Sequence, residues 1–478
     1  MYINGSWVKS DQVLEVKNPA TGELVDVAYL IGAKETNQAI QAAKNAFPVW
    51  SSLTAEQRSD YLYQIVDKLL EKKEHLAKII TKEMGKSIHN ARYEVGSTIS
   101  FFKWFAEEAR RVYGDVLPIS TANKRAHVIK QPIGVVAAVT PWNFPLSMGA
   151  RKLAPALAVG CTVIVKPSSE APLSLIELFK IFDEVGLPNG VVNLVLGPSA
   201  EIAKTLMDSQ DVRKISFTGS TEVGKTLIRQ SADTIKRVSM ELGGHAPFIV
   251  FDDADIDLAV QGVISSKFAS SGQQCVCTNR VYIQESIYEQ FAEKFQKAVR
   301  QMKVGNGMDE SNQMGSLINE NAINSIHGQV NDALEKGARV LCGGVRLTTE
   351  EYANGYFYAP TVLADVTEEM VITREETFGP VAPLIRFQTE AEVIEKANNT
   401  NYGLASYFYT NDLSRMYRVS EKLQYGMVGV NDPAPFSMQA PFGGVKESGY
   451  GRESGKYGLE DYLETKSISI MIKQSPVG

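Results

Sequence analysis

The chain contains 478 residues, too many for one ordinary hydrophobic core, so two or more domains are expected. Hydrophobic residues make up 44% of the chain and charged residues 22%, which is typical of a soluble globular protein. The formal net charge of −6 argues against a nucleic-acid partner, because a nucleic-acid-binding surface normally carries clustered basic residues.

The sequence carries no signal for export or membrane insertion. Its first residues lack the basic and apolar regions of a signal peptide. The longest apolar stretch, 153–165, contains Pro155 and Gly160 and is too short to cross a bilayer. Four cysteines are too few for a secreted disulfide framework. We therefore expect a cytoplasmic protein that has no membrane partner.

Short strands are predicted over residues 1–30, where turn signals separate the apolar runs. From about Glu35 to Val112, apolar residues recur at three- and four-residue spacing, which predicts amphipathic helices. The aromatic residues within 99–105 fit the buried face of such a helix better than a cofactor site.

Strands and helices are predicted to alternate from Gly134 onward. Short runs rich in β-branched residues lie at 135–139, 162–165, 191–196 and 214–217, and helical patterns at 172–184, 200–207 and 222–231 follow the last three. This alternation predicts a parallel sheet with right-handed crossovers. Such sheets bind ligands beyond the carboxyl ends of their strands, so the polar residues after Lys166 and Phe217 are candidate ligand contacts.

A second alternating α/β region is predicted from Phe248 to about Gly443, with helices near 287–302 and 322–336. The acidic residues of 253–257 resemble a calcium loop only superficially, because Leu258 stands where that loop needs glycine. An acidic helix start is the better interpretation, and no metal site is predicted.

The segment 219–226 literally satisfies the P-loop pattern, and a predicted strand precedes it and a helix follows it. A phosphotransferase is therefore a real alternative, although Glu222 would place a carboxylate among the phosphates. The same loop and helix N-terminus also suit the pyrophosphate of a dinucleotide. No G-x-G-x-x-G fingerprint occurs in the chain. Both interpretations predict a bound phosphate, and this segment alone leaves them open.

Residues 241–275 begin with a carboxylate, Glu241, and end with a thiol, Cys275. A carboxylate near a thiol can take the proton of the thiol or of an attacking water. Taken alone, however, a cysteine is usually a small buried hydrophobe and a glutamate usually a solvated surface residue.

Five motifs in the same order resemble the aldehyde dehydrogenase superfamily. They are Thr140-Pro-Trp-Asn-Phe-Pro145, Glu241-Leu-Gly-Gly244, Gly272-Gln-Gln-Cys275, Glu375-Glu-Thr-Phe-Gly-Pro380 and Pro441-Phe-Gly-Gly444. An ordered set of this kind is far more specific than one glycine loop, so it argues against the phosphotransferase. Other sequence segments, including Cys275-Val-Cys277, resemble the succinate semialdehyde dehydrogenases most closely.

The resemblance implies a catalytic role for three residues. Cys275 would be the nucleophile that forms a thiohemiacetal and then a thioester. The Asn143 side chain and the backbone N–H of Cys275 would stabilise the oxyanion, a kind of contact typically worth about 3–4 kcal/mol. Glu241 would be the general base that activates water for hydrolysis to the carboxylic acid.

The resemblance also implies a bound NADP or NAD. The implied contacts are Lys166 and Ser169 at the adenosine ribose, Gly219 and Ser220 at the pyrophosphate, Trp142 beside the cofactor, Glu376 at the nicotinamide ribose and Phe378 at the nicotinamide ring. Family members that prefer NAD commonly carry an acid where this chain has Ser169. A carboxylate there would repel a 2′-phosphate, so its absence slightly favours NADP.

The substrate pocket departs from the semialdehyde pattern. Arg151 matches one arginine that holds the distal carboxylate of the substrate, but Ala269 stands where the second is expected. Phe436 replaces a serine of the same pocket. A succinate-semialdehyde-like substrate is retained, because a buried arginine needs an anion. A broader aromatic or aliphatic aldehyde is the alternative.

The resemblance implies a Rossmann-like cofactor domain (1–115 and 133–245), an α/β catalytic domain (246–445) and a β oligomerisation element (116–132 and 455–478). Alternating strands predicted within the last two ranges suggest a homodimer or homotetramer, because an unpaired strand edge is a liability. Oxidation that joins Cys277 to Cys275 is a further hypothesis, although residues two apart close only a strained ring.

Overall fold

The structure, a computed structural model, describes residues 1–473. Its strands are β1 (Tyr2–Ile3), β2 (Ser6–Trp7), β3 (Val13–Lys17), β4 (Leu24–Tyr29), β5 (Asp115–Leu117), β6 (Lys124–Pro132), β7 (Val135–Val139), β8 (Thr162–Lys166), β9 (Val192–Leu194), β10 (Val212–Thr218), β11 (Arg237–Glu241), β12 (Ala246–Val250), β13 (Thr278–Gln284), β14 (Arg339–Cys342), β15 (Arg346–Leu347), β16 (Phe357–Tyr358), β17 (Thr361–Ala364), β18 (Val381–Phe387), β19 (Ala405–Tyr409), β20 (Met427–Val430), β21 (Gly449–Tyr450) and β22 (Leu463–Met471).

The helices of these residues are α1 (Ala33–Ser52), α2 (Ala55–Glu71), α3 (Lys73–Met84), α4 (Ile88–Glu108), α5 (Ser147–Val159), α6 (Leu173–Val185), α7 (Ser199–Asp208), α8 (Thr221–Ser231), α9 (Ile256–Phe268), α10 (Tyr288–Val299), α11 (Glu320–Glu335), α12 (Glu390–Asn398), α13 (Leu413–Lys422) and α14 (Tyr457–Glu460). None of the helices in this part of the chain is long and apolar enough to cross a membrane.

The first sheet has the order β2-β1-β9-β8-β7-β10-β11-β21, and its five central strands run parallel. The chain leaves β7 toward β8 on one side and later returns to β10 on the other. Ligands bind at such a reversal of strand order, beyond the carboxyl ends of the strands. The Asn143 loop follows β7 and the Gly219 loop follows β10, so both lie at this crevice.

The second sheet has the order β14-β17-β18-β13-β12-β19-β20, and only its edge strand β14 runs antiparallel. Its central strands are buried along their length, as near-continuous apolar runs in a parallel sheet should be. The two sheets confirm the predicted α/β class. The domain boundaries themselves stay a prediction.

Helices α1–α4 and the first sheet share one large hydrophobic core. Phe101, Phe102 and Phe105 on α4 have no exposed surface, which confirms the predicted core role of segment 99–105. The acidic segment 253–257 begins a helix as predicted, because the Asp255 side chain accepts hydrogen bonds from the first amides of α9. The described residues contain no cluster of acidic, histidine or cysteine side chains suited to a metal.

A third sheet, with the order β22-β6-β5, is antiparallel throughout. Strand β22 pairs with β6 over its full length, from Leu463 opposite Pro132 to Met471 opposite Lys124. These strands lie within the ranges predicted for oligomerisation except for Asp115, and the oligomerisation role itself stays a prediction. The last residues of that prediction, 474–478, lie outside the described part of the chain.

Candidate active site

Cys275 lies in a tightly constrained loop between α9 and β13. Gly272 has φ of 75°, and a Cβ there would lie 2.3 Å from the Gly379 carbonyl oxygen. The Gln273 side chain accepts a hydrogen bond of 3.0 Å from the Ile318 amide, and the Gln274 side chain donates one of 2.7 Å to the Ala269 carbonyl. The half-buried thiol is therefore presented by a backbone that has little freedom.

Glu241 ends β11, and the two glycines that follow let this segment approach the Cys275 loop. A Cβ on Gly244 would lie 2.2 Å from the Cys275 carbonyl oxygen, so no side chain fits between the two segments. Glu241 is 3% exposed, and its carboxylate Oε2 has no hydrogen-bond partner among the described residues. A buried carboxylate oxygen without a protein partner is suited to receiving a proton from water.

Asn143 reaches the same loop from the first sheet. Its buried side chain donates a 3.0 Å hydrogen bond from Nδ2 to the Gln273 carbonyl, two residues before Cys275. A side-chain amide carries two N–H donors, so one is left for a substrate oxygen. The structure thus places an amide donor directly beside the segment that carries the thiol.

A cavity of about 310 Å³ opens at this point and brings together nine of the twelve predicted site residues. Those in its wall are Trp142, Asn143, Arg151, Gly219, Ser220, Cys275, Glu376, Phe378 and Phe436. Glu241, Lys166 and Ser169 lie outside that wall, although Glu241 is followed directly by two wall residues, Leu242 and Gly243. One cavity therefore joins the thiol and the amide to the glycine loop at the crevice.

The electrostatic surroundings oppose ionisation of the acidic groups. Burial raises the pKa of Cys275 to about 12, the charge of Glu376 adds to this rise, and Arg151 opposes it. Burial also raises the pKa of Glu376 to about 8, while a 2.9 Å hydrogen bond from the Gly244 amide favours its charged form. The pKa of Glu241 lies well above its ordinary value because of burial and then the nearby charge of Glu453.

The chain is similar in sequence and fold to known aldehyde dehydrogenases. A profile described as the aldehyde dehydrogenase family matches residues 7–468. The chain belongs to the aldehyde dehydrogenase family. This membership confirms the resemblance and rules out the rival phosphotransferase.

Related aldehyde dehydrogenases share about half of their residues with this chain. It is 49% identical to a glutarate-semialdehyde dehydrogenase of Pseudomonas putida, covering 98% of this chain and 97% of that protein. It is also 49% identical, with the same coverage, to an NADP(+) succinate-semialdehyde dehydrogenase of Escherichia coli. A solved succinate-semialdehyde dehydrogenase from Burkholderia pseudomallei matches with a TM-score of 0.96 and 46% identity, covering 98% of this chain and 97% of that one.

The residues of this aldehyde dehydrogenase fit a dinucleotide. Lys166 ends β8, and among residues 1–473 its buried ammonium donates only to the neighbouring Pro167 carbonyl, at 3.1 Å. Burial lowers the pKa of Lys166 to about 8, so a polar ligand group would relieve its desolvation. Ser220 caps α8 by accepting a hydrogen bond from the Val223 amide, and it lines the cavity, so the N-terminus of this helix lies at the cavity, as suits a phosphate.

Two aromatic rings lie in the wall of the same cavity. Trp142 and Phe378 meet edge to face, with ring centroids 5.5 Å apart. Phe378 has φ of 50°, a left-handed conformation that costs free energy in a bulky residue and persists where the surroundings enforce it. Phe378 is therefore held in an unusual backbone conformation within the cavity wall.

The far end of the cavity is an arginine set among aromatic rings. The Arg151 guanidinium lies 4.0 Å over the Phe442 ring, and Phe436 packs against Phe442 with a centroid distance of 5.9 Å. Arg151 Nε also lies 3.8 Å from the Glu453 carboxylate, without a hydrogen bond. We predicted that this buried arginine needs an anion from the substrate. That argument is weakened, because the carboxylate of Glu453, 302 residues further along the chain, already places a negative charge beside it.

Sequence reasoning missed the buried charges behind the site. Lys152 pairs with Glu453 at 2.7 Å and Lys86 pairs with Glu94 at 2.8 Å, and these side chains are almost wholly buried. Neither pair lies in a recognised motif or follows a helix or strand spacing. The sequence therefore does not indicate that the two residues of either pair are in contact. The possible partner thiol Cys277 is buried and free, with Sγ 3.5 Å from the Lys267 carbonyl, and its oxidation stays a hypothesis.

Proposed function

We propose that the protein oxidises an aldehyde that carries a distal acid group, such as succinate semialdehyde, to the carboxylic acid with NADP or NAD. The observation that carries this proposal is the single cavity that joins Cys275 and Asn143 to the glycine loop at the sheet crevice. The Pseudomonas putida and Escherichia coli relatives are named for glutarate and succinate semialdehydes, both aldehydes with a distal carboxylate.

The chemistry begins at Cys275, whose thiol gives its proton to solvent as the sulfur attacks the aldehyde carbon, and the carbonyl oxygen becomes the oxyanion of a thiohemiacetal. Asn143 Nδ2 and the Cys275 backbone N–H stabilise the oxyanion, and such donors act most strongly in a water-poor site. A nicotinamide cofactor held beside Cys275 by the glycine loop and Phe378 would supply the hydride acceptor for oxidation to the thioester. Glu241 then takes a proton from water, whose oxygen attacks the thioester and releases the acid and the thiol. Burial and the charge of Glu453 raise the pKa of Glu241, and the nearby cations Lys152 and Arg151 partly offset this rise in favour of the charged form that this step requires.

In this proposal six residues would hold the cofactor: Lys166, Gly219, Ser220, Trp142, Glu376 and Phe378. NADP is accepted, because Ser169 leaves no carboxylate at the position that would meet a 2′-phosphate. The next acid, Glu170, is exposed and accepts a 3.4 Å hydrogen bond from Asn319. The NADP(+) specificity in the name of the Escherichia coli relative supports the same preference.

A second candidate is an aromatic or longer aliphatic aldehyde, favoured by Phe436, Phe442 and Met438 in the cavity wall. The two candidate substrates differ in their contact with Arg151. The guanidinium would bind the distal carboxylate of an acid-bearing aldehyde, but it would only pack beside the chain of an apolar aldehyde.

An aldehyde panel run with both cofactors tests the proposal, with Arg151→Ala beside the wild type. For acid-bearing aldehydes we expect the KM of Arg151→Ala to rise about tenfold or more, since a charged hydrogen bond is worth about 1.5–3 kcal/mol. The KM for a neutral aldehyde of similar length, measured on the same preparations, controls for damage to the fold. An unchanged KM for succinate semialdehyde would remove the acid-tail substrate and leave the apolar one.

A further inference from the structure

A buried ion pair lies directly behind the Asn143 loop. Lys86, two residues before α4, donates a 2.8 Å hydrogen bond to Glu94 on that helix, and neither side chain has any exposed surface. Removing two charges from water costs several kcal/mol per ion, and the attraction of the pair offsets this only with good geometry and further hydrogen bonds. The further hydrogen bonds that Lys86 and Glu94 make to other groups are therefore needed to offset the cost of burying the pair.

Those other groups are the backbone on both sides of the turn that carries Asn143. Lys86 Nζ donates a 2.7 Å hydrogen bond to the Asn143 carbonyl, and it lies 3.7 Å over the Phe144 ring. Glu94 Oε1 accepts hydrogen bonds from the amides of Leu146 and Ser147, at 2.9 and 3.1 Å. One end of the pair thus holds the carbonyl of Asn143, and the other holds the start of α5.

This arrangement fixes Asn143 from both sides. Its carbonyl is held by Lys86, and its side-chain amide donates to Gln273 on the Cys275 loop. Donors stabilise an oxyanion only when they lie about 2.7–3.1 Å from its position, and a shift of about 1 Å can cost a hundredfold in rate. Release of the carbonyl would let this peptide rotate and carry the amide away from that position.

We infer that Lys86 and Glu94 are positioning residues that hold Asn143 in place to stabilise the oxyanion. This inference rests on the proposed function, which assigns that role to Asn143. Lys86 is the more informative of the two to change, because Glu94 itself contributes to the cavity wall and Lys86 does not.

The chain offers a matched control in Glu83. This carboxyl is also fully buried and also accepts two backbone hydrogen bonds at a helix start, from the amides of Leu173 (2.6 Å) and Ser174 (2.9 Å). Its hydrogen-bond partners belong to α6 and not to the Asn143 turn, although its charge also acts on the nearby Lys86 and Glu94. Glu83→Gln therefore perturbs a buried helix cap of the same design without touching the proposed oxyanion donor.

The experiment compares Lys86→Met, the uncharged double variant Lys86→Met/Glu94→Gln, Glu83→Gln and Asn143→Ala in the full-length protein. Three rates are measured for each: kcat with aldehyde and NADP, cofactor-free hydrolysis of p-nitrophenyl acetate, and alkylation of Cys275 by iodoacetamide, followed by peptide mass. The first two reactions pass through an oxyanion, whereas alkylation does not. Thermal unfolding reports the stability of each variant.

Asn143→Ala should lower kcat by about 10²–10³-fold, the usual effect of losing an oxyanion donor. We expect Lys86→Met and the double variant to lower kcat and ester hydrolysis by about tenfold or more, within that bound. Their alkylation rates should stay within about twofold of wild type, because the thiol itself is undisturbed. Glu83→Gln should lose stability and keep its kcat.

Two results would overturn the inference. One is a double variant whose activity returns in step with its thermal stability, and the other is an alkylation rate that falls in parallel with kcat. Either would make the pair a structural element only. If the wild type oxidises no aldehyde, the proposed function fails, and the ester-hydrolysis rates still decide whether the pair positions Asn143.

Discussion

Cys275 occupies surroundings that keep its sulfur protonated. Burial and the charge of Glu376 raise the pKa of this thiol to about 12, and Arg151 only partly opposes them. The thiolate is the reactive form, so in the free protein only a very small fraction of the thiol is ready to attack at neutral pH.

The alkylation of Cys275 in the cofactor-free protein should therefore have a distinctive pH dependence. Below a raised pKa the thiolate fraction grows about tenfold per pH unit, so the rate should climb from pH 6 through pH 9.5 without a plateau. Rates of iodoacetamide labelling at the Cys275 peptide measure this, with Cys275→Ser as the blank. A plateau near pH 7 would show a thiol activated before the cofactor binds, and it would contradict the raised pKa of Cys275.

At the scale of elements, the loop that carries Cys275 depends on one glycine. Gly272 has φ of 75°, and a Cβ there would lie 2.3 Å from the Gly379 carbonyl oxygen. Gly186, which follows α6, has nearly the same φ, 73°, but nothing lies within 4 Å of a Cβ at that position. An alanine at Gly186 would suffer backbone strain alone, whereas an alanine at Gly272 would suffer both backbone strain and a steric clash. Comparing the two variants therefore distinguishes these effects.

Gly186→Ala should cost about 1–2 kcal/mol of unfolding free energy, the usual cost of a left-handed non-glycine residue. Gly272→Ala should cost more than that and should also lower kcat, because the loop must move away from Gly379 and take Cys275 with it. Thermal unfolding and turnover of both variants measure the difference. Equal losses of stability, with kcat retained by Gly272→Ala, would mean that the Cys275 loop is not tightly constrained.

The elements themselves were largely predictable from sequence, because apolar period and β-branched runs record which face is buried. Strand β10 covers its predicted range, while β9 is shorter than the predicted 191–196 because only Val192–Leu194 form regular ladder pairs. The catalytic candidates were found through ordered motifs. The pairs Lys86–Glu94 and Arg151–Glu453 were not, since each depends on tertiary packing that no local spacing records.

At the scale of the whole molecule, the third sheet is left with exposed apolar residues. Every residue of β22 after Leu463 is exposed, and β22 is also an edge of its sheet. Ile468 and Ile470 are 37% and 42% exposed, and Val116 on β5 is 75% exposed. An exposed edge with apolar side chains tends to pair with another chain, so we propose a homodimer or homotetramer built through this sheet.

The double variant Ile468→Asp/Ile470→Asp should shift the protein toward a smaller assembly, because it places charges in the proposed interface. Light scattering after size-exclusion chromatography measures the mass. Leu413→Asp, at a 67% exposed position on α13, controls for a charge placed on the surface elsewhere. A wild-type monomer, or a double variant of unchanged mass, would remove this sheet from the assembly.

The most direct test of the central claim is the first turnover of Glu241→Gln with succinate semialdehyde and NADP. If Cys275 forms the thioester and Glu241 activates the water that hydrolyses it, NADPH should appear in a burst of about one equivalent per chain. Steady turnover should then fall by about 10²–10⁴-fold, the usual worth of a general base. Intact-protein and peptide mass should locate the acyl group on Cys275. Steady turnover without a burst, or an acyl group on any other residue, would contradict the assignment of Cys275 and Glu241.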